Sequence, residues 1–299
     1  MITTLDLGFR DLPKAAGAYL VKLPNMHVLI ECGPSACWDR LVAELERNGS
    51  SPDRIEHLFI THIHLDHAGA CGLLADRGTV VHVHPRGARH LIDPSRLNAS
   101  ARRVFGDALD TDLGTLTACP EDLVRPMEDL DSITVDGTTF TAYETTGHAS
   151  HHHCWLVTGP DGRHVFTGDA AGMRLPGTRF PTLPMVPPEF DLDLWLGSIQ
   201  TIRELRPDAV WMTHFDRIDD HDSFLESVAH QLIEETGFIK DLPGSDNDAH
   251  LAAYRSWHER LATESAIELD LLNRYCDRTH YQANLTGVRR WLAKSEGST

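Results

Sequence analysis

Seven consecutive residues constrain this chain more than any others: Thr61-His62-Ile63-His64-Leu65-Asp66-His67. Three imidazoles and one carboxylate crowd into a single short run. In extended chain, residues i and i+2 point to the same side. His62 and His64 can therefore aim two neutral nitrogens at one cation, while Asp66 and His67 come a turn later and face a neighbouring point. Imidazole together with carboxylate suits zinc, iron or manganese. The run follows His57-Leu58-Phe59-Ile60, which reads as a buried strand, and precedes Ala68 to Leu74, which reads as the start of a helix. Strand ends in layered α/β folds are where sites usually lie. The plain alternative is a set of solvated or helix-capping histidines; it loses ground because distant parts of the chain supply partners.

Further strands are expected at 17–23 and 27–33, with Pro24-Asn25 as the turn, and at 79–84. His82 and His84 repeat the i, i+2 spacing, but no acidic partner follows them, so they read as strand histidines. Residues 37–48 have helical spacing, and 85–92 is a short helix. The stretch 93–120 is weakly periodic, helical over 96–105, and is either a lid or a surface excursion. Residues 123–168 are β-rich. Asp136-Gly137 marks one hairpin and Gly159-Pro160-Asp161-Gly162 another turn. His27 to Cys32 and His164 to Asp169 echo one another, which hints at two similar β-rich halves stacked together. Asp191 to Leu205 is helical, and Ala209 to Thr213 is a strand ending at His214. The chain then turns helical over 222–236 and 246–294, with a break near Thr286-Gly287. A main domain over residues 1–220 and a C-terminal helical extension over 221–299 are expected.

Composition narrows the partners. The 299 residues suffice for one large domain or one domain with an appendage. Net charge is −17, so a nucleic acid would be repelled, and Arg102-Arg103 and Arg289-Arg290 are too short to make a basic patch. No run of apolar residues is long enough for a membrane span. No export signal is visible at the N-terminus, so a cytoplasmic protein is expected. The six cysteines form no C-x-x-C pair and read as reduced, mostly buried residues. Cys32 and Cys71 come near the histidine run, where packing is the plainer role.

Three more strand ends carry metal-binding types: Thr145-Thr146-Gly147-His148, Gly168-Asp169 and His214. A sheet that places its strand ends together would gather them with the first run. This set, T-H-I-H-L-D-H, T-G-H, T-G-D and T-H-F, resembles the metallo-β-lactamase-fold hydrolase superfamily over roughly residues 15–220. The resemblance implies an α/β protein with a four-layer αββα sandwich. It also implies a ligand for each matching position: His62, His64 and His148 on a first cation, Asp66, His67 and His214 on a second, and Asp169 bridging both. Zinc β-lactamases usually place a cysteine where Asp169 stands, so the aspartate resembles the glyoxalase II, lactonase and phosphodiesterase branches. His151-His152-His153 are expected to support the ligands or belong to a strand.

The chemistry implied is hydrolysis by two divalent cations, zinc first, with iron or manganese as alternatives. Cations about 3.5–4 Å apart can share a water, bring its pKa toward about 7 and deliver a metal-bound hydroxide to a carbonyl. Asp66 is the catalytic candidate because it can position that nucleophile. Tyr143 is a candidate oxyanion partner, though a packed strand tyrosine is the plainer reading. Residues 171–188, rich in proline and apolar side chains, suggest a stiff pocket wall for a small acyl substrate with a hydrophobic part; the alternative is a loop packed on the helical extension. Thioester or lactone hydrolysis leads. Phosphodiester cleavage and a mono-iron persulfide dioxygenase-like reaction are the alternatives. The helical tail is a candidate cap over the site or a homo-oligomer contact.

Overall fold

Alternation along the strands sorts the apolar residues into two cores, because successive side chains of a strand point to opposite faces. In β2 (Gly17–Lys22), Ala18 and Leu20 join one core, Tyr19 and Val21 the other. In β3 (His27–Ile30), Leu29 joins the first, Val28 and Ile30 the second. The computed structural model describes residues 1–296 and divides into two units. The first comprises residues 1–144, 151–168 and 205–219; the second comprises 145–150, 169–204 and the chain from 220 onward.

The first unit holds two six-stranded sheets. One runs β1 (Ile2–Asp6), β2, β3, β4 (Ile55–Phe59), β5 (Val80–Val83) and β6 (Val124–Pro126) in that order. Its first three strands are antiparallel, and β3 to β6 are parallel. The connections carry α1 (Trp38–Arg47), α2 (Leu65–Ala68), α3 (Cys71–Ala75), α4 (Pro85–Ile92) and α5 (Ser95–Phe105). Their buried Leu41, Leu45, Leu74, Leu91 and Ala101 pack on one face of this sheet. Leu109, Leu113 and Leu116 join the same core, which accounts for much of the apolar character of 93–120.

The second sheet contains β7 (Ser132–Val135), β8 (Thr138–Glu144), β9 (His153–Gly159) and β10 (Gly162–Phe166). After a two-stranded ribbon of the other unit, β11 (Met173–Arg174) with β12 (Pro181–Thr182), it is completed by β13 (Ala209–Met212) and β14 (Asp216–Ile218). The order is β14-β13-β10-β9-β8-β7. The Asp136-Gly137 hairpin is present: Val135 pairs with Thr138, and both turn residues have positive φ. The sheets meet face to face through Val28, Phe59, Phe140, Trp155, Phe166 and Trp211 among others. Phe59 stacks on Phe140 with ring centroids 4.2 Å apart.

The second unit holds the ribbon, α6 (Leu192–Glu204), α7 (His221–Lys240), α8 (Asn247–Glu264), α9 (Leu269–Tyr275) and α10 (Arg278–Glu296). A buried polar network ties these helices together. The Tyr254 hydroxyl donates to Glu235, and Asn284 donates to the Leu183 carbonyl at 2.7 Å while accepting from the Met185 amide at 2.9 Å. Residues 180–190 thus pack on the helical tail, with Phe190 edge-on to Trp291 at 5.9 Å. The expected break near Thr286-Gly287 is absent. α10 runs through both residues, and the interruptions lie at 265–268 and 276–277. Gly287 serves another purpose: a Cβ there would sit 1.9 Å from the Met185 carbonyl oxygen, so the glycine permits that backbone to approach the helix.

Candidate metal centre

The histidine run begins shortly after β4 ends. Its geometry is fixed by close backbone approach. The amides of Cys32 and Gly33 donate to the His67 carbonyl at 3.0 Å, and the Ala70 amide returns a bond to the Gly33 carbonyl. Gly69 makes this possible, since a Cβ there would lie 2.7 Å from the Ser35 nitrogen. The run is thereby clamped against the loop after β3.

Within the first unit, Asp66, His67 and His214 bring one ligand atom each to within 4.8 Å of one another. His67 Nε2 and His214 Nε2 are 3.3 Å apart, and Asp66 Oδ2 is 3.5 Å from His214 Nε2. The other ring nitrogens fix the tautomers. His214 Nδ1 donates to the Ala15 carbonyl at 2.5 Å, and His67 Nδ1 faces the Glu31 carboxyl at 3.3 Å. Both Nε2 atoms then carry lone pairs. Two lone pairs and a carboxylate oxygen aimed at one another fit a shared cation.

His62 and His64 form a second convergence in the same unit: Nε2 of the former lies 2.9 Å from Nδ1 of the latter. The Thr61 hydroxyl donates to Glu31, so it accepts from His62 Nδ1 at 3.1 Å and leaves His62 Nε2 as the donor atom for a metal. In the second unit, His148 and Asp169 form a pair with Nε2 to Oδ2 at 3.3 Å. His148 Nδ1 donates to the Pro184 carbonyl at 2.9 Å, so Nε2 is the nitrogen that faces the Asp169 carboxylate. His62, His67, His148, Asp169 and His214 are buried, whereas Asp66, with a 26% exposed side chain, is open to solvent.

Glu31 is the residue that reading the sequence missed. It is 1% exposed, and its Oε1 collects the Thr61 hydroxyl, His67 Nδ1 and, at 3.4 Å, the Thr213 hydroxyl. Its Oε2 is buried with no hydrogen-bond partner among the described residues. An unpaired buried carboxyl oxygen is costly, and a nearby cation offsets that cost. The available signal was an acidic residue closing an otherwise apolar strand, H-V-L-I-E.

The three histidines of the triplet take different places. The His151 and His152 rings lie 6.0 and 4.9 Å from that of His62, while His153 starts β9 and donates to the Ile60 carbonyl at 2.9 Å. His82 stacks on Phe59 and bonds His57 at 2.9 Å; burial pushes its pKa down to about 3, so it is a neutral core histidine. Tyr143 is a half-buried strand residue paired with Cys154. All six cysteines are free thiols, and Cys32 bonds the His67 carbonyl rather than joining the ligand set.

The metallo-beta-lactamase superfamily model matches residues 14–214, about two thirds of the chain and a range that contains all seven candidate ligands. The chain belongs to that superfamily, whose members are metal-dependent hydrolases. Its fold is accordingly the mixed α/β sandwich of the superfamily, with a C-terminal helical region. The chain is 28% identical to the metallo-beta-lactamase fold-containing protein ST1585 of Sulfurisphaera tokodaii, over 71% of this chain and 77% of that one. The crystal structure of ST1585 matches 96% of this chain and 98% of its own, with TM-score 0.67 and 23% identity. TTHA1429 of Thermus thermophilus matches 99% of this chain and 94% of its own, at TM-score 0.69 and 17% identity. The subclass B3 β-lactamase BJP-1 of Bradyrhizobium japonicum covers 74% of this chain and 88% of its own, at TM-score 0.55 and 16% identity. No described helix of this superfamily member is long and apolar enough to cross a membrane.

Proposed function

We propose that the protein hydrolyses a thioester or lactone-type acyl substrate with a hydrophobic part, using two divalent cations. The observation that carries this reading is the complete second ligand set, Asp66, His67 and His214, beside His62 and His64. The persulfide dioxygenase-like alternative shares these ligand residues with one iron bound, so two cations per chain is the result that favours hydrolysis. In this reading His62, His64 and His148 hold one cation, Asp66, His67 and His214 the other, and Asp169 serves both. The donor set of imidazoles and carboxylates suits zinc first, with iron and manganese acceptable.

Bound cations supply Lewis acidity, which makes water nucleophilic near neutral pH and polarises the scissile carbonyl. The side chains hold and orient. Glu31, Ala15 and Pro184 fix the imidazole tautomers of His67, His214 and His148. In this reading Asp66, the solvent-open ligand, would accept a hydrogen bond from the attacking water. The net charge of −17 favours a small acyl compound over a polyanion. Aspartate at position 169 supports the glyoxalase II and lactonase-like branch over antibiotic hydrolysis.

The test is chelator-treated protein reconstituted separately with zinc, manganese and iron, then assayed against thioesters, lactones, phosphodiesters and a persulfide. Turnover confined to acyl substrates supports the proposal. Turnover of the persulfide with iron alone sinks it.

A further inference from the structure

We infer that the C-terminal helices carry a separate site for a soft or borderline transition cation, zinc first, made by His258, Cys276 and His280. One ligand atom from each lies within 4.8 Å of the others. The inference does not depend on the hydrolase reading, because it uses none of those ligands, and all three residues belong to the second unit.

Local structure explains how they meet. Cys276 directly follows α9, and His280 sits in the first turn of α10, four residues on. His258 comes from α8. A cation here would pin α8 to the α9–α10 junction, where the chain is otherwise interrupted. Two imidazoles and one thiolate are a borderline-soft donor set, suited to zinc or cuprous copper and poorly suited to magnesium or calcium.

The independent sign of a ligand is His258. Its side chain is 0% exposed, and its Nδ1 is engaged by the Tyr281 hydroxyl at 3.2 Å. Its Nε2 is buried with no hydrogen-bond partner among the described residues. A buried imidazole nitrogen left without a partner costs free energy that coordination would recover. The Tyr281 bond orients the ring in the manner of the outer groups that position metal-bound histidines. His280 is in weak contact with Asn284 at 3.4 Å, a side chain whose amide already serves Leu183 and Tyr254 at shorter range. The Cys276 thiol is protonated without metal, so binding replaces S–H by S–metal and releases one proton to solvent. His280 is the least buried of the three.

The experiment uses the full chain, stripped with chelator and titrated with Co²⁺ as a spectroscopic stand-in for zinc. The seven candidate ligands of the hydrolase site in this chain include no cysteine, so a thiolate-to-Co²⁺ charge-transfer band in the near ultraviolet reports this site alone. The expected result is a band that saturates at one equivalent, persists in His62→Gln and disappears in Cys276→Ser. Zinc-loaded wild type should carry one equivalent more than Cys276→Ser. Near-ultraviolet circular dichroism checks that the variant folds; should it not, His280→Gln, at a half-buried position, must lose the band instead. No band in folded wild type, or a band and zinc count unchanged by these substitutions, overturns the inference.

Discussion

Replacing Glu31 by glutamine should weaken cation binding in the first unit without weakening the stripped protein. Glu31 Oε1 receives His67 Nδ1 at 3.3 Å and the Thr61 hydroxyl, which in turn orients His62. One carboxyl group therefore sets the orientation of a ligand in each set. Loss of a group that orients a metal ligand typically costs 10–100-fold in affinity, or about 1.4–2.8 kcal/mol. A hydrogen bond to a charged partner contributes about 1.5–3 kcal/mol, so the two routes agree. The stripped protein should respond differently. Glu31 Oε2 is buried with no hydrogen-bond partner among the described residues, so the amide that replaces it breaks no bond there, while Oε1 keeps its acceptor role toward Thr61 and His67. Isothermal titration with Zn²⁺ should then show Kd raised 10–100-fold, while the Tm of chelator-treated protein holds or rises. Unchanged Kd with lowered Tm would show that Glu31 is a packing residue and refute the reasoning.

Asp169→Asn and His214→Ala should each remove at least one cation, read by metal analysis, and lower turnover by orders of magnitude. Phe59→Ala should cost about 3–5 kcal/mol by urea unfolding, because it empties the stack between the sheets against Phe140 and Trp155. Gly287→Ala should destabilise the C-terminal helices, since its Cβ meets a backbone oxygen at 1.9 Å; a Tm equal to wild type would show that the 184–186 backbone yields freely. Glu235 is buried, and its pKa is pushed up to about 7 from 4.5 chiefly by loss of solvation. The folded state thus holds a proton the unfolded chain releases, so stability present below pH 4.5 is lost as pH rises through 7. The displacement corresponds to about 3.5 kcal/mol at about 1.4 kcal/mol per pH unit. Urea midpoints of Glu235→Gln should be flatter than wild type across that window.

Much of this was legible in the chain because local pattern and chemistry coincide. The period-2 alternation in β2 and β3 sets which side chains enter which core, and Asp136-Gly137 names its own turn. The histidine run reads directly because adjacent residues serve neighbouring points in space. The rest depends on contacts distant in sequence. Glu31 looks like any strand-end acid until Thr61, His67 and Thr213 close around it. Gly287 reads as a helix stop until Met185 is seen against it. β1 and β14 are short edge strands whose pairing, not their own pattern, makes them strands. His258, Cys276 and His280 have no recognisable motif spacing, and only the packing of three helices brings them together. For the apolar stretch 171–188 the sequence leaves open a pocket wall or a loop packed on the helical extension, and the Asn284 bonds to Leu183 and Met185 that favour the latter join residues about a hundred positions apart.

The central claim is that two cations are held by two distinct ligand sets. Anomalous diffraction from crystals of the zinc-loaded protein, collected on both sides of the zinc absorption edge, tests it directly. The account predicts one peak bonded to His62, His64 and His148 and another bonded to Asp66, His67 and His214, with Asp169 reaching both. A zinc-replete crystal with no density beside Asp66, His67 and His214 would contradict it.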